Sequence, residues 1–356
     1  MGTEFEIEFQ QFFDKGGNVV RPLPSFAQNA RELIPLYSAM LKTRIFDEKA
    51  VALQRTGRLG TYASSLGQEA VGVGIAATMR VDDVFLPSFR EQSAMLMRGV
   101  SMEELLLYWG GDERGSNFLE ARADFPICIP VASHFPHATG VAFAIKYEKK
   151  DVVAVAVAGD GATSKGDFYE AINAAGIWRL PVVFVVINNQ WAISVPRSKQ
   201  TAAKTLAQKA VAAGIEGIQV DGNDVVAMRD VVSHALKRAR NGKGPSLIEA
   251  VTYRLSDHTT ADDASRYRND EEVSQHWKSD PMGRLRKYLE ANNVWDHKLE
   301  EVERAKISEL VEAAIKNYLN TPPQDETSIF DHLFAELPPA LQKQRSEISA
   351  GRKKNA

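Results

Sequence analysis

The chain has 356 residues, enough for one large α/β domain or two ordinary ones. A hydrophobic share of 44%, a charged share of 25% and a net charge of −3 read as a soluble globular protein and give no support for a nucleic-acid surface. The single cysteine, Cys128, excludes an internal disulfide and fits a reducing compartment; its apolar setting, Phe125-Pro-Ile-Cys-Ile-Pro130, reads as a buried, inert thiol.

No apolar run approaches the ~18 residues of a membrane span. The N-terminus is acidic and alternating, neither a secretory signal nor an Arg-rich transit peptide, so the expected location is the cytoplasm. A processed mature form from the mitochondrial matrix would read the same. The basic Gly351-Arg-Lys-Lys354 is a solvated tail.

In chain order, residues 1–25 hold an alternating piece (Phe5, Ile7, Phe9) and a Pro22-Leu-Pro24 spacer, an extended arm. From Asn29 to about Thr56, Leu33, Leu36, Tyr37, Met40, Leu41 and Ile45 recur at helical spacing. A turn at Gly57 and Gly60 precedes a Gly/Ala-rich helix from Gln68 to Met79. Val84-Phe-Leu86 is a short strand ending in Pro87-Ser-Phe-Arg90, and helical pattern resumes at Met95 and at Ser101. The runs Val152–Ala158 and Pro181–Ile187 are near-continuously apolar, as strands covered on both faces are, with a helix from about Asp167 to Trp178 between them. That is a βαβ unit with a right-handed crossover. A strand at Gly217–Asp221, a helix at Val225–Arg240 and a strand at Ser246–Thr252 continue the alternation. Helices near Glu271–Asn292 and His297–Asn320 close the chain.

The βαβ unit carries the chemistry. Gly159-Asp-Gly161 ends its first strand; 26 residues later Asn188-Asn189 ends its second. Ligands of open α/β sheets sit at the carboxyl ends of strands. A carboxylate (Asp160) and a carboxamide (Asn189) delivered there suit Mg²⁺ shared with diphosphate oxygens. Gly-Asp-Gly alone is more often a tight turn; its spacing from Asn-Asn within one βαβ unit favours the metal–diphosphate reading. Other residues stay open on their own pattern. Arg90 alone reads as a surface ion pair, and His258, in the polar loop Leu255–Asp263, as a solvated side chain. Ile129 and Val131 read as core. His134 and His137, three apart on a helix, lack further metal ligands.

With Arg58-Leu-Gly-Thr-Tyr62, Gly67-Gln-Glu-Ala70, Gly159–Ala171, Asn188-Asn-Gln-Trp-Ala-Ile-Ser194, Ala210–Gly222 and Tyr253-Arg-Leu-Ser-Asp-His258, the chain resembles the alpha subunits of 2-oxo acid dehydrogenases over nearly its whole length. The bacterial pyruvate type comes first, the branched-chain type next. The resemblance implies an α/β thiamine-diphosphate-binding fold: a central, mostly parallel sheet with helices on both faces and a helical C-terminal region. It divides the chain into an arm (1–28), the cofactor-binding domain (29–270) and a helical extension packed on it (271–356). The implied activity is oxidative decarboxylation of a 2-oxo acid, pyruvate first, with acyl transfer to lipoamide. Branched-chain 2-oxo acid dehydrogenase and acetoin dehydrogenase subunits are the alternatives in class, and a non-catalytic assembly subunit the alternative outside it.

The implied site follows residue by residue. Asp160, Asn189 and the backbone carbonyl of Trp191 match Mg²⁺ ligands. Gly159 belongs to the same cofactor-binding turn, and Gly161 and Ala162 match backbone donors to diphosphate. Arg90 matches an arginine on the diphosphate, beside Phe89 where many relatives carry tyrosine. Ile129 and Val131 match positions whose backbone meets the aminopyrimidine. His258 and Arg254 match catalytic loop residues, and Thr259 stands where mitochondrial relatives carry a phosphoserine. Where pyruvate-specific mitochondrial relatives have a histidine before Gly67, this chain reads Tyr62-Ala-Ser-Ser-Leu66. Ser64 or Ser65 contacts substrate instead, or caps the next helix; His134 is a further substrate candidate. The implied partners are a beta subunit, in a heterotetramer of two alpha and two beta chains, and the lipoyl domain of a dihydrolipoyl acyltransferase core. The glutamate that activates the cofactor is expected from the beta subunit, and the Gly/Ala-rich Ala70–Ala77 is expected at a helix contact between subunits.

Overall fold

The structure, a computed structural model, describes residues 6–355, with side chains described through residue 350. Phe5 of the alternating piece and the side chains of the Gly351–Lys354 tail lie outside the described residues. The chain divides into two compact units, Met1–Ile315 and Lys316–Ala356.

In the first unit the N-terminal segment supplies strand β1 (Phe9–Gln10). Its next residues are tied down, because the backbone N–H groups of Phe12 and Phe13 donate to the buried Asp224 at 2.7 and 2.8 Å. The helix expected from Asn29 opens as a 3-10 turn (Ala30–Leu33) capped by Asn29 and continues as α1 (Ile34–Arg55), with a proline in its first turn. Then come α2 (Glu69–Ala76), β2 (Val84–Leu86), α3 (Gln92–Met97) and α4 (Met102–Trp109). A Ser101/Glu104 capping box opens α4. The βαβ unit consists of β3 (Ala154–Gly159), α6 (Gly166–Ile177) and β4 (Val182–Asn188), preceded by α5 (His134–Tyr147). A two-residue hairpin, β5 (Trp191–Ala192) and β6 (Val195–Pro196), and two single turns, α7 (Arg197–Gln200) and α8 (Lys209–Ala212), lead to β7 (Glu216–Asp221), α9 (Val225–Arg240) and β8 (Ser246–Val251).

All six main strands run parallel in the order β1-β7-β8-β4-β3-β2, as expected of the fold class. On one face Ala154, Ala156, Ala158, Val182, Phe184 and Val186 pack with Phe135 of α5 and Phe168 of α6. Side-chain alternation puts the equally buried Val155, Val157, Val183 and Val185 on the other face, where α9 packs on β4, β7 and β8.

Two expectations are corrected here. The helix predicted over Glu271–Asn292 is two helices, α10 (Asp270–Trp277) and α11 (Pro281–Ala291). Asp280 caps Gly283 N at 2.8 Å and Pro281 starts the second helix, so the chain must turn between them. The small residues of α2 do not await another subunit: Glu69 to Ile75 are all buried within this chain, against α3 and α9. A side chain at Gly72 would collide with Ser93. After α12 (His297–Asn320), the second unit contains α13 (Pro339–Asn355), which packs with the turn Glu326–Phe330. Among the described residues no helix is long and apolar enough to cross a membrane.

Candidate functional site

Gly159 pairs with Ile187 across β3 and β4, so the two strands release their next residues side by side. Asp160 enters a 3-10 turn (Asp160–Ser164) and is 2% exposed; Asn189 is 7% exposed. The two amides after β4 diverge. Asn188 Nδ2 donates to Glu249 at 2.7 Å under the sheet, whereas Asn189 Oδ1 accepts from Trp191 N at 3.2 Å and its Nδ2 donates to Gln68 at 3.2 Å. Gln190 (φ 72°) and Ile193 (φ 54°) sit in the left-handed region, folding the β5–β6 hairpin back over the Asp160 turn. Gly161 lies beneath it, where a Cβ would come within 2.8 Å of Ala192 Cβ.

These elements close a cavity of about 310 Å³. It is lined by Phe89, Arg90, Ile129, Val131, His134, Gly159, Asp160, Gly161, Ala162, Asn189, Trp191 and His258. Three candidates stand outside the lining. Ser64 and Ser65 donate their hydroxyls to the buried Asp47 at 2.9 Å each, and α2 has no side-chain cap. Arg254, fully buried, donates to the carbonyls of Trp191 (3.3 Å) and Ile193 (2.9 Å) and to Tyr267 (2.8 Å), bracing the hairpin. Cys128, expected to be buried, is partly exposed and lines the same cavity.

The electrostatics leave a buried cation and a buried carboxyl facing the same cavity. Arg90 is 6% exposed and forms no ion pair with a carboxylate among the described residues; it donates to the carbonyls of Ser64 and His258. Burial, and then the charge of Arg254, lowers it to about 10. Arg254 is lowered by burial too. Burial raises the Asp160 carboxyl to about 6, against the pull of the Gln200 amide that donates to it at 2.6 Å. The desolvated Arg90 guanidinium and the desolvated Asp160 carboxylate, neither of them in an ion pair among the described residues, suit bound phosphate oxygens and a metal ion. Asp160 and Asn189, which line the same cavity, offer side-chain oxygens of the kind Mg²⁺ takes. No cluster of three or more His, Cys, Asp or Glu side chains able to hold a metal occurs among the described residues; His134 Nε2 donates to Val157 O at 2.7 Å, and His137 stacks on Phe125. Gln68 Nε2 and His134 Nδ1 are buried without partners beside the same space.

His258 is neither solvated nor poised near neutral pH. Burial and the charges of Arg90 and Arg254 lower it to about 4. Its Nδ1 faces the guanidinium donors of Arg90 at 3.3 Å and Arg254 at 3.5 Å, so Nδ1 accepts and the neutral ring carries its proton on Nε2. The backbone N–H of His258 donates to Asp262 at 2.9 Å, which also accepts from Tyr267. An anion that neutralises the two arginines must raise this pKa. Adding inorganic pyrophosphate is therefore expected to move the His258 titration, followed by NMR of its ring protons, upward from about 4. Pyrophosphate affinity then increases as pH falls through the ligand-bound pKa; a downward or absent shift contradicts this electrostatic picture.

Residues 37–326 match the family model described as the dehydrogenase E1 component. The chain belongs to that family. It is 41% identical over 347 residues to the pyruvate dehydrogenase E1 component subunit alpha of Staphylococcus aureus, covering 96% of this chain and 93% of that one. The subunit of the same name from Staphylococcus epidermidis is 42% identical with the same coverage.

In this E1 component chain, several residues that shape the cavity gave no sequence signal. Asp47 on α1 gathers Tyr62, Ser64 and Ser65, fixing the segment whose Ser64 carbonyl receives Arg90. Glu249 on β8 accepts from Asn188, Leu206 N, Ala207 N and Gln219. Gln200 on α7 reaches Asp160 across forty positions. Glu91 lines the cavity, raised to about 7 by burial, but its carboxylate is held by Ser88 and by Arg90 N and braces that turn.

Proposed function

We propose that the chain is the alpha subunit of a thiamine-diphosphate- and Mg²⁺-dependent enzyme of the bacterial cytoplasm. It decarboxylates pyruvate oxidatively and passes the acyl group to lipoamide. It works in a heterotetramer with a beta subunit and delivers to the lipoyl domain of a dihydrolipoyl acyltransferase core. The observation that carries this reading is the single cavity that brings Asp160 and Asn189 from adjacent strand ends together with Arg90 and His258. The relatives named as pyruvate dehydrogenase subunits favour pyruvate over branched-chain 2-oxo acids and acetoin.

Asp160, Asn189 and the Trp191 carbonyl would hold Mg²⁺; that carbonyl's bond from Arg254 leaves its second lone pair available. Arg90 and the Gly161 and Ala162 N–H groups would take the diphosphate, a planar fork suiting its oxygens better than lysine. Ile129 and Val131 would meet the aminopyrimidine. Bound thiamine diphosphate supplies a stabilised carbanion and an electron sink for loss of CO₂. His258 contributes a neutral imidazole whose Nε2–H donates to developing negative charge on the 2-oxo acid. Arg254 positions: it holds the strained hairpin that presents Trp191, and sets the His258 tautomer. The carboxylate that activates the cofactor is expected from the beta subunit.

Co-expression with the beta subunit tests this. Pyruvate-dependent dye reduction requiring thiamine diphosphate and Mg²⁺, exceeding that with 2-oxoisovalerate or acetoin, is the expected result. Inactivity on all three overturns the reading, and preference for either alternative overturns the substrate assignment.

A further inference from the structure

One of the two carboxylate oxygens of Asp160 is already engaged. Gln200 Nε2 donates to Asp160 Oδ2 at 2.6 Å, and an ionised carboxylate only accepts, so the orientation of the amide is fixed. The same nitrogen donates to Val195 O at 3.3 Å, which gives both of its protons an acceptor. Gln200 reaches Asp160 from outside the βαβ unit. It ends α7, a single turn whose first N–H, that of Arg197, donates to Gln190 O at 2.8 Å. Arg197 Nη2 donates to the carbonyls of Ala203 (2.5 Å) and Lys204 (2.6 Å), and Glu249 holds the N–H groups of Leu206 and Ala207. The segment is pinned on both sides of Gln200, which therefore meets Asp160 from a fixed base.

This contact bears on which divalent ion the site accepts. Mg²⁺ is small, demands a near-octahedral shell and takes single oxygens alongside water and phosphate. Ca²⁺ takes more oxygens in looser shells, including both oxygens of one carboxylate. An ion that binds one Asp160 oxygen leaves the Gln200 bond intact. An ion that draws in both must compete with that bond for Oδ2.

We propose that Gln200 is a specificity-determining residue, favouring Mg²⁺ over Ca²⁺ by holding Asp160 to one-oxygen ligation. The inference rests on the reading of Asp160 as a ligand of the ion that anchors thiamine diphosphate. Within that ligand set the Trp191 carbonyl offers a single oxygen, and so does Asn189, whose Nδ2 is spent on Gln68. Asp160 is thus the member whose share of the ion's shell can change, and Gln200 is the side chain that limits it. Gln200 acts through Asp160 and is a positioning residue.

The test uses the full chain co-purified with its beta subunit and stripped of metal with EDTA. Thiamine diphosphate binding is followed by calorimetry while Mg²⁺ or Ca²⁺ is varied, giving the concentration of each ion at half-maximal binding. The wild type should require less Mg²⁺ than Ca²⁺. Gln200→Met keeps the length of the side chain and removes the donor. In it the ratio of the two concentrations should shift about tenfold toward Ca²⁺, the scale on which supporting residues of metal sites act. Gln200→Asn, one methylene shorter, serves if the methionine variant fails to fold. The ratio separates selectivity from a general loosening of the segment, which would weaken both ions alike. An unchanged ratio, a shift toward Mg²⁺, or a wild type without preference for Mg²⁺ overturns the inference while leaving the cofactor reading intact. No thiamine diphosphate binding by the wild type with either ion overturns both.

Discussion

Asp160→Asn is expected to abolish Mg²⁺-dependent binding of thiamine diphosphate while raising the melting temperature of the ligand-free protein. The two effects share one cause. Burial holds the Asp160 carboxyl at about 6, against 3.8 for the ordinary group. The stability this gap provides is full below the unfolded value and is lost as pH rises through about 6. At about 1.4 kcal/mol per pH unit, the ionised carboxylate costs the metal-free fold on the order of 3 kcal/mol at neutral pH. A bound divalent cation offsets that cost, and asparagine avoids it while still accepting from Gln200. Loss of this proposed metal ligand should weaken Mg²⁺-dependent binding by at least about 100-fold, beyond what supporting residues of metal sites usually cost. Calorimetry with and without EDTA reads the affinity, and thermal melts at pH 7.5 and 5 read the stability. The gain over wild type should shrink at the lower pH. Retained affinity, or a lower melting temperature at pH 7.5, contradicts the assignment. A non-catalytic assembly subunit would be indifferent to this change in metal-dependent binding.

Glu249→Leu is expected to destabilise the chain by about 4 kcal/mol, although Glu249 lies outside the cavity lining. Its carboxylate accepts from Asn188 Nδ2 (2.7 Å), Leu206 N (2.8 Å), Ala207 N (3.0 Å) and Gln219 Nε2 (3.0 Å), and it is 1% exposed. Leucine fills the space but leaves the buried Asn188, Leu206 and Ala207 donors without this acceptor, which is the costly half of losing a hydrogen bond. Asn188 immediately precedes Asn189, so the variant that still folds should also bind Mg²⁺ and cofactor more weakly. Glu249→Gln keeps an acceptor oxygen and should fall between. Urea denaturation of the variants provides the check: a loss below about 1 kcal/mol for the leucine variant would mean that the network does not hold this strand end.

What could be read from sequence was whatever is written in local runs. The apolar stretches at Val152–Ala158 and Pro181–Ile187 specify strands covered on both faces, and β3 and β4 are interior strands of the parallel sheet, within one or two residues of those limits. The spacing of Gly-Asp-Gly from Asn-Asn carried over into adjacency because neighbouring parallel strands in register must end together. The same composition argument failed for α2. Small residues announce a close approach without saying to what, and here the partners are α3 and α9 of the same chain. The α10–α11 break was legible in Asp280-Pro281, a capping residue followed by a helix-starting proline, but helical periodicity on both sides masked it. Asp47, Gln200 and Glu249 were not legible, since each acts through groups brought near only by folding. Cys128 was misjudged for a related reason: its apolar neighbours in sequence say nothing of the cavity that opens beside it.

The most direct test of the central claim is a calorimetric titration of the chain, co-purified with its beta subunit, with thiamine diphosphate in the presence and absence of Mg²⁺. The account predicts one cofactor per alpha–beta pair, binding that requires Mg²⁺, and loss of that binding in Asp160→Asn and Asn189→Ala. No binding, or binding that is indifferent to Mg²⁺ and to both substitutions, would contradict it.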